Sequence, residues 1–432
     1  MSVAAGLGAG DVAPRVPFGG PVRHVYVHVP FCRAKCDYCD FASVPVPAGG
    51  GGRDGAEAAR RLDGYMAALA AEWEREGAAH DVRRLHTLYL GGGTPSLLRP
   101  ERLERVLELF RPHLTPHAEV TVETNPEDVD DEYAAWAASA RPGAGSGGVR
   151  PGVRVSLGAQ SFSPDLRAVL GRTAQADPAA AFRRLRGAGV PSVGLDLIHG
   201  IPGQTQELLA ADIAEVLALR PFHVSWYELD VVEGTTLAAR LALRRVGEGA
   251  VNSPAGALEP SAMPADPMDD VRAAGYRRIV RELSRAGYDW YEVSNFALPG
   301  RRARHNVAYW RARPYLGLGP GAVSTVGARR WTNAPGPDAW AAALVAGEPP
   351  PRAFEMLDAG TRARERFLLA ARCGERVPLA EVAGVIDPGV AAGLAAAGLV
   401  SLHSGTIRVT RKGRHVADEV CVRLFRSTHL RE

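Results

Sequence analysis

The stretch Tyr26-Val-His-Val-Pro-Phe-Cys32-Arg-Ala-Lys-Cys36-Asp-Tyr-Cys39 leaves the first strand-like segment and places three cysteines within eight residues. A structural zinc site normally closes with four ligands, and a simple electron-transfer cubane also takes four cysteines. Three thiolates on a four-iron cluster leave one iron open, where a small ligand can chelate. The spacing therefore favours an open iron–sulfur cluster.

Two other uses of these cysteines compete with that interpretation. A disulfide framework is disfavoured, because the chain has five cysteines in 432 residues and the other two, Cys373 and Cys421, are remote. A zinc site would take its fourth ligand from His24, His28 or Asp37, and this alternative stays open on the sequence alone.

Length and composition indicate a globular protein with one barrel-sized domain and a smaller one. The 51 basic and 48 acidic residues leave a net charge of +3, which does not imply a polyanionic partner. The first twenty residues lack a basic start followed by an apolar run, and no stretch is apolar over a membrane-spanning length. With reduced cysteines, this predicts a cytoplasmic protein without a transmembrane segment.

Strand-like and helix-like segments alternate along the first half of the chain. The strand-like segments are His24–Val29, Leu85–Leu90, Ala118–Glu123, Val153–Leu157, Ser192–Ile198 and His223–Tyr227. Such a series argues for parallel strands with crossover helices. We therefore predict an α/β fold built on a partial (βα)6 barrel.

Polar residues alternate with apolar ones in several of these strands. In Glu119-Val-Thr-Val-Glu123 the odd positions are polar, and Asp196 stands between apolar neighbours. A barrel whose lumen holds a polar ligand would produce this pattern. The alternative for Asp196 is an internal ion pair with Arg154 or Arg172, because buried charges are usually paired.

Changes in composition divide the chain into five predicted parts. They are a flexible N-terminus (1–22), the partial barrel (23–240), a flexible insertion (241–268), an extension completing the core (269–349) and a small C-terminal winged-helix-like α+β domain (350–432). Two further segments, Val44–Gly55 and Arg141–Gly152, are rich in Gly, Pro and Ala and are expected to be mobile.

Five motifs together resemble one family. They are the cysteine stretch, Gly91-Gly-Gly-Thr-Pro-Ser96, Val122-Glu-Thr-Asn-Pro126, Leu157-Gly-Ala-Gln-Ser-Phe162 and Asp196-Leu-Ile-His-Gly-Ile-Pro-Gly-Gln-Thr205. In this order they resemble the oxygen-independent coproporphyrinogen III oxidase family of radical S-adenosylmethionine (SAM) proteins. The resemblance runs from about residue 22 to the C-terminus and implies a radical-SAM barrel.

The resemblance implies a role for each matching position. Cys32, Cys36 and Cys39 would ligate a 4Fe-4S cluster. The residues that would contact SAM at the open iron are Tyr26, Gly92, Gly93, Thr94, Glu123, Gln160, Arg172 and Asp196. Most of them lie at or just beyond strand ends, where barrel active sites are built.

Two departures separate subgroups of this family. Coproporphyrinogen dehydrogenases carry a fourth cysteine where this chain has Phe41, and they have a longer arm than the 25 residues before Tyr26. Both departures indicate the HemW-like haem chaperones, which bind haem and pass it to acceptor proteins. The segments 291–297, 305–310 and 317–322 also resemble this subgroup, although Val323 replaces a histidine that is common there.

Haem needs an axial ligand, and His305 is the predicted one because Tyr309 and Trp310 could pack on the macrocycle. His28 and His199 are alternatives. The expected partners are haem, haem-acceptor proteins and, if radical chemistry occurs, an electron donor for the cluster.

Three other functions are also compatible with the sequence. The first is coproporphyrinogen III dehydrogenation, and the second is radical methyl transfer. The third is nucleic-acid binding by the cluster Arg408, Arg411, Lys412 and Arg414, which is too small a positive field to be favoured. No nucleic-acid partner is therefore expected.

Overall fold

The computed structural model describes residues 17–46, 53–141, 152–247 and 267–425. In chain order, its strands are β1 (His24–Val29), β2 (Phe31–Cys32), β3 (Val44–Pro45), β4 (Leu85–Gly92), β5 (Leu114–Thr124), β6 (Arg154–Gln160), β7 (Ser192–His199), β8 (His223–Glu228), β9 (Asp289–Glu292), β10 (Asn295–Ala297), β11 (Leu316–Leu318), β12 (Val323–Val326), β13 (Arg329–Asn333), β14 (Arg352–Met356), β15 (Val377–Pro378), β16 (Val400–His403) and β17 (Thr406–Val409).

The α-helices of the same ranges are α1 (Arg53–Ala79), α2 (Arg99–Phe110), α3 (Asp131–Ser139), α4 (Pro164–Val169), α5 (Pro178–Gly187), α6 (Gln206–Leu219), α7 (Thr236–Gly247), α8 (Pro267–Arg285), α9 (Arg304–Trp310), α10 (Pro337–Val345), α11 (Ala359–Cys373), α12 (Leu379–Val382), α13 (Pro388–Ala396) and α14 (Ala417–Leu424). Short 3₁₀ helices lie at Pro95–Leu98, Pro126–Asp128 and Gly413–Val416. Across these ranges no helix is both long and apolar enough to cross a membrane.

The central sheet has nine strands in the order β11-β1-β4-β5-β6-β7-β8-β10-β9. β1, β4, β5, β6, β7 and β8 are parallel neighbours, joined by crossovers that contain helices. This confirms the predicted α/β fold with a partial (βα)6 barrel. The barrel is open, because β11 forms one end of the sheet and the antiparallel pair β10 and β9 forms the other.

The period-two alternation of the strands sorts their side chains between two environments. Val25, Val27 and Val29 of β1 are fully buried in the main hydrophobic core, together with Leu69 of α1. The polar residues between the apolar ones face the concave side, where Glu123 is one of the residues lining a cavity. The alternation therefore separates an apolar face that packs in the core from a polar face that lines the cavity, while a polar ligand in this cavity remains a prediction.

A second, three-stranded sheet (β12-β13-β14) extends the core and is tied to α1 through one buried carboxylate. Glu72 accepts hydrogen bonds from Gly319 N (2.7 Å), Asn333 Nδ2 (2.7 Å) and Trp340 Nε1 (3.2 Å). Arg352 of β14 also donates to this carboxylate, at 3.2 Å. Because β14 belongs to this sheet, the domain boundary predicted at residue 350 falls too early.

The C-terminal unit combines α11–α14 with the small sheet β15-β17-β16 and has its own hydrophobic core. Its winged-helix character remains a prediction. The unit docks on β9, where Arg372 Nε donates to the fully buried Glu292 at 2.6 Å. Arg414 adds a second contact, with its guanidinium 3.8 Å from the centre of the Trp290 ring and a 2.8 Å hydrogen bond to the Trp290 carbonyl.

The basic cluster of the C-terminal unit is used largely for internal contacts. Arg411 donates to Ser284 Oγ at 3.0 Å, and Lys412 donates to the Ala397 carbonyl at 3.1 Å. With Arg414 on Trp290, these contacts give the cluster a structural role in docking the unit.

The predicted terminal and inserted segments lie partly outside the described residues. Residues 1–16, 47–52, 142–151, 248–266 and 426–432 are outside them. Phe18 and Val22 are buried, so the packed chain begins before the predicted boundary at residue 22. Likewise, α7 continues to Gly247, beyond the predicted start of the insertion at residue 241.

Gly317→Ala is expected to lower the free energy of unfolding. A Cβ at position 317 would lie 2.1 Å from the Val323 carbonyl oxygen, so β11 and β12 would have to separate. We expect a loss of about 1–3 kcal/mol, typical of overpacking, measured by urea denaturation. Gly64→Ala is the control, because an added Cβ on that exposed turn of α1 meets nothing within 4 Å. Gly64→Ala should raise the free energy of unfolding by about 0.5–1 kcal/mol. Equal losses of stability in the two variants would contradict the clash expected at position 317.

Candidate functional site

The three cysteines lie on a loop at the carboxyl end of β1, and this loop is anchored on both sides. Arg33 pairs with the buried Asp128, its Nε 3.0 Å from Oδ1. Asp37 N donates to the Leu170 carbonyl at 3.0 Å, and the Asp37 carboxylate accepts from Arg240 Nη1 at 2.5 Å. These contacts hold the loop against the barrel rim without using a cysteine.

A cavity of about 380 Å³ opens beneath this loop at the carboxyl ends of the parallel strands. Most of the predicted site residues line it: Cys32, Cys36, Cys39, Gly92, Gly93, Thr94, Glu123, Gln160, Arg172 and Asp196. Phe41, in place of the fourth cysteine, lines it too and is 55% exposed. Tyr26 and His305 are not among the lining residues.

Glu123 is half-buried and contributes its carboxylate to the cavity wall. Its Oε1 accepts from the Tyr89 hydroxyl at 2.7 Å, and its Oε2 accepts from Gly92 N at 3.2 Å. Burial raises the pKa of Glu123 to about 7; the charge of Asp196 adds to the rise, while the two hydrogen bonds oppose it. The carboxyl group can therefore change charge near neutral pH.

Asp196, on β7, lines the same cavity one strand beyond β6 from Glu123. Its Oδ2 accepts from Ser156 Oγ at 2.8 Å, while its buried Oδ1 has no hydrogen-bond partner. Burial raises the pKa of Asp196, whereas Ser225, Ser156 and the charges of Arg154 and Arg172 lower it. Both arginines act on Asp196 through charge alone, so the ion pair considered from the sequence is not formed.

Arg172 brings a cation to the cysteine side of the cavity. Its Nη1 donates to Asn125 Oδ1 (2.9 Å) and to the Gly158 carbonyl (3.1 Å), and its buried Nε has no hydrogen-bond partner. Burial lowers the pKa of Arg172, but nearby Tyr38 and Cys36 outweigh that effect and raise it. The guanidinium therefore stays charged, with a donor available.

The glycines of the Gly91–Ser96 turn are required by the packing of the protein itself. Gly92 has φ +103°, and a Cβ there would lie 2.5 Å from His28 Cε1. A Cβ on Gly93 would lie 2.6 Å from the Phe31 carbonyl oxygen. The expectation that these glycines approach a ligand remains a prediction, since close packing on β1 and the cysteine loop already explains them.

The thiols have the chemistry that an iron–sulfur cluster requires. Thr94 Oγ1 lies 3.5 Å from Cys32 Sγ as a donor. Burial raises the pKa of the Cys32 and Cys39 thiols, so a bound metal would displace their protons. A cubane takes one thiolate per iron. Within the described ranges no three His, Cys, Asp or Glu side chains converge as ligands of a single metal ion.

The structure argues against a zinc site, because none of the three residues considered as its fourth ligand is both free and close to the cysteines. His28 is engaged through both ring nitrogens, by the Ala42 carbonyl at 2.8 Å and the Tyr26 hydroxyl at 3.1 Å. Asp37 pairs with Arg240. His24 begins β1, at the opposite end of the strand from Cys32.

Tyr26 does not line the cavity itself but stacks on Tyr89, which does, with their ring centroids 6.0 Å apart. Because the Ala42 carbonyl can only accept, His28 Nε2 donates to it and His28 Nδ1 accepts from the Tyr26 hydroxyl. The Tyr26 oxygen keeps its capacity as an acceptor.

His305 packs against Tyr89 and does not line the cavity that contains the cysteines. Its ring is 1% exposed and 5.1 Å from the ring of Tyr89. Its Nδ1 bonds to Thr87 Oγ1 at 2.7 Å, and its Nε2 has no hydrogen-bond partner. Tyr309 packs against it at 5.0 Å. As haem ligand, His305 remains a prediction, and its Nε2 is enclosed by protein.

Several cavity residues were given no role in the sequence analysis, among them Tyr89, Asn125, Ser156 and Tyr227. Tyr89, Ser156 and Tyr227 occupy inward positions of β4, β6 and β8, so the same alternation that marked Glu123 could have identified them. Asn125 lies in a quoted motif, but only its contact with Arg172 reveals its place.

The class that this fold and site define is the radical SAM superfamily, whose family model matches residues 26–215. The structure of the radical SAM enzyme coproporphyrinogen III oxidase (HemN) from Escherichia coli aligns with a TM-score of 0.72, covering 93% of this chain and 89% of that one. At 21% identity this likeness supports the fold alone.

Sequence relatives define the family more narrowly. The chain is 38% identical over 410 residues to heme chaperone HemW of Mycobacterium tuberculosis H37Rv, covering 94% of both proteins. It is 32% identical over 311 residues to heme chaperone HemW of E. coli K12, covering 71% of both. The chain therefore belongs to the HemW family of radical SAM proteins.

Proposed function

We propose that this protein is a haem chaperone that binds haem, a 4Fe-4S cluster and SAM, and that transfers haem to acceptor proteins. The observation that carries the proposal is the 38% identity to a heme chaperone over 94% of both chains. Such coverage includes the extension and the C-terminal unit as well as the barrel, so the likeness extends beyond the radical SAM core.

The cysteine cavity supports the cofactor part of the proposal. Cys32, Cys36 and Cys39 would hold the cluster at the loop. Opposite them, Glu123 and Asp196 offer acceptors to a cationic ligand, and SAM carries an ammonium and a sulfonium. Arg172 Nε offers an unused donor on the same wall. Glu123 and Asp196 would orient SAM from the strands, with Gly92, Gly93, Thr94 and Gln160 beside them. When bound, such a cluster supplies one-electron chemistry.

Haem transfer implies an acceptor protein, and radical chemistry would further imply an electron donor. The contacts of Arg33 and Asp37, which lie between the first and the last cysteine, would keep the loop in place around a bound cluster. The rival oxidase function would use the same cavity. The chaperone and the oxidase are therefore distinguished by the test with coproporphyrinogen III described below.

Replacing Cys32, Cys36 or Cys39 by Ala is expected to remove most of the iron and the visible cluster absorbance after anaerobic reconstitution. Each variant would leave an iron without its thiolate. Cys373→Ala is the control, because Cys373 lies in α11, outside the cavity. Full iron content in the three variants would contradict the ligand assignment.

SAM affinity is expected to rise from about pH 6 to about pH 8, because deprotonation of Glu123 adds a negative charge facing a cationic ligand. The raised pKa of Glu123, about 7, sets this window. Glu123→Gln should flatten the profile and weaken binding about tenfold or more at the upper pH. Calorimetric titration measures both quantities.

Glu101→Gln, on an exposed turn of α2, is the matched control for this titration. It should keep the wild-type profile. A pH-independent affinity in the wild type would contradict the role given to Glu123.

The reconstituted wild-type protein is expected to bind one haem with a shifted Soret band and to leave coproporphyrinogen III unconverted under anaerobic, reducing conditions. Haem titration followed by absorbance tests the first outcome, and chromatography of the porphyrin products tests the second. Conversion of coproporphyrinogen III would favour the oxidase instead. Failure to bind haem would contradict the chaperone function.

A further inference from the structure

The Thr94 hydroxyl lies beside the first of the three cysteines. Thr94 N donates to the Phe31 carbonyl at 2.7 Å, and Thr94 Oγ1 donates to Cys32 Sγ at 3.5 Å. Thr94 is 4% exposed, and its contact with Phe31 fixes its backbone next to the residue that precedes Cys32. The distance between the hydroxyl and the sulfur is therefore set by the packing of the Gly91–Ser96 turn on β2.

Asn125, which follows β5, contacts this hydroxyl from the strand side. Its Nδ2 donates to Thr94 Oγ1 at 3.2 Å, and its Oδ1 accepts from Arg172 Nη1 at 2.9 Å. Because a guanidinium can only donate, it must face the amide oxygen of Asn125, which leaves the amide NH2 group directed at Thr94. Arg172 is itself held by the Gly158 carbonyl at 3.1 Å. The orientation of the Asn125 amide is therefore determined by its charged partner.

The hydrogen bonds from Arg172 to Cys32 all run in one direction, toward the sulfur. Because the amide NH2 group of Asn125 can only donate, Thr94 Oγ1 accepts from it and keeps its own proton for another acceptor. Cys32 Sγ is the acceptor that the structure provides for this proton. A thiolate that ligates a metal has lost its proton and can only accept, so Thr94 is the donor in that state as well.

A second set of contacts holds the backbone of Asn125 in place. Asn125 N donates to Ser96 Oγ at 3.2 Å, and Ser96 Oγ donates to Asp128 Oδ2 at 2.6 Å. Ser96 and Asp128 are fully buried, and Asp128 also binds Arg33, which lies between the first two cysteines. A substitution of the Asn125 side chain therefore changes its amide contacts and leaves this backbone contact and the anchor of the cysteine loop intact.

Hydrogen bonds to the sulfurs are one of the factors that set the reduction potential of an iron–sulfur cluster. Reduction adds one negative charge, and a hydrogen bond strengthens as its acceptor becomes more negative. A donor aimed at a ligand sulfur therefore stabilises the reduced cluster more than the oxidised one and raises the potential. The step concerned is the transfer of one electron from an external reductant, during which the hydroxyl proton stays on its oxygen and no covalent bond changes.

We infer that Asn125 is a positioning residue, which directs the Thr94 hydroxyl at Cys32 Sγ and thereby raises the reduction potential of the cluster. This inference rests on the 4Fe-4S cluster of the proposed function. It gives a task to a residue outside the predicted cluster and SAM contacts, and it makes the cluster reducible by a milder electron donor.

The experiment measures the midpoint potential of the reconstituted full-length protein by anaerobic titration with dithionite, followed by electron paramagnetic resonance. SAM is left out, because Thr94 is among its expected contacts. Thr94→Val removes the hydroxyl and should make the cluster about tenfold harder to reduce, which is about 59 mV for a one-electron couple. Iron content and visible absorbance equal to those of the wild type show that a variant retains its cluster.

Asn125→Asp is the variant that reverses the direction of the hydrogen bond. A carboxylate has the shape of the amide and can still pair with Arg172, but it can only accept, so it draws the Thr94 proton away from Cys32. Asn125→Asp should therefore lower the potential by at least as much as Thr94→Val. In the Thr94→Val background the same substitution should have a clearly smaller effect, because no hydroxyl is left to redirect.

Two controls test whether the hydroxyl beside Cys32 is responsible. Thr94→Ser retains a hydroxyl at this position and should keep the wild-type potential. Thr332→Val makes the same chemical change as Thr94→Val, but in β13, away from the lining of the cysteine cavity. It should also keep the wild-type potential.

The outcomes separate this inference from the function on which it rests. A wild-type protein that takes up no iron–sulfur cluster would contradict the cofactor part of the proposed function and the inference with it. A normal cluster whose potential is unchanged in Asn125→Asp would overturn only the role of Asn125. A shift of equal size in the wild-type and Thr94→Val backgrounds would also overturn that role, because Asn125→Asp would then act through its added charge and not through Thr94.

Discussion

The barrel depends on pairing the polar groups of its concave face, and the hydrogen bond from the Tyr89 hydroxyl to the Glu123 carboxylate is the central example. A sheet with polar residues on its concave face must provide each of them with a partner, because an unpaired buried polar group costs about 1–3 kcal/mol. Glu123 meets this requirement through Tyr89 and Gly92, and Asp196 meets part of it through Ser156. Two of the buried atoms without a hydrogen-bond partner, Asp196 Oδ1 and Arg172 Nε, belong to residues that line the cavity.

The cysteine loop depends on the same barrel, although its ligands are local in sequence. Arg33 reaches Asp128 beyond β5, and Asp37 is held by Arg240 of α7, so residues about 95 and 203 positions apart define the loop. Gly171 permits this arrangement, because a Cβ there would lie 2.7 Å from Asp37 N. The cluster would therefore sit on a rim built by several crossover units, and loosening any of them would disturb its geometry.

The described residues line two cavities at opposite ends of the barrel strands. Barrel enzymes use the carboxyl ends of their strands, and the cysteine cavity follows that rule. The amino ends usually contribute stability, yet here they carry a basic pocket beside α9. The rings of Tyr26, Tyr89 and His305 pack in succession between the two cavities.

The sequence by itself determined the parallel barrel and the cysteine loop, because hydrophobic periodicity and cysteine spacing are local properties that can be recognised without knowledge of the fold. It also identified Glu123 and Asp196, since charged residues inside apolar strands are conspicuous. Only the tertiary structure decided that His305 is buried against Tyr89 and that His24 lines a pocket with arginines of α9 and of the segments on either side of it. Those neighbours are up to about 290 residues apart in the chain, and a motif cannot show which side of a helix faces a cavity. The addition of β11 beside β1 and the docking of the C-terminal unit through Arg372 and Glu292 were likewise decided by long-range packing.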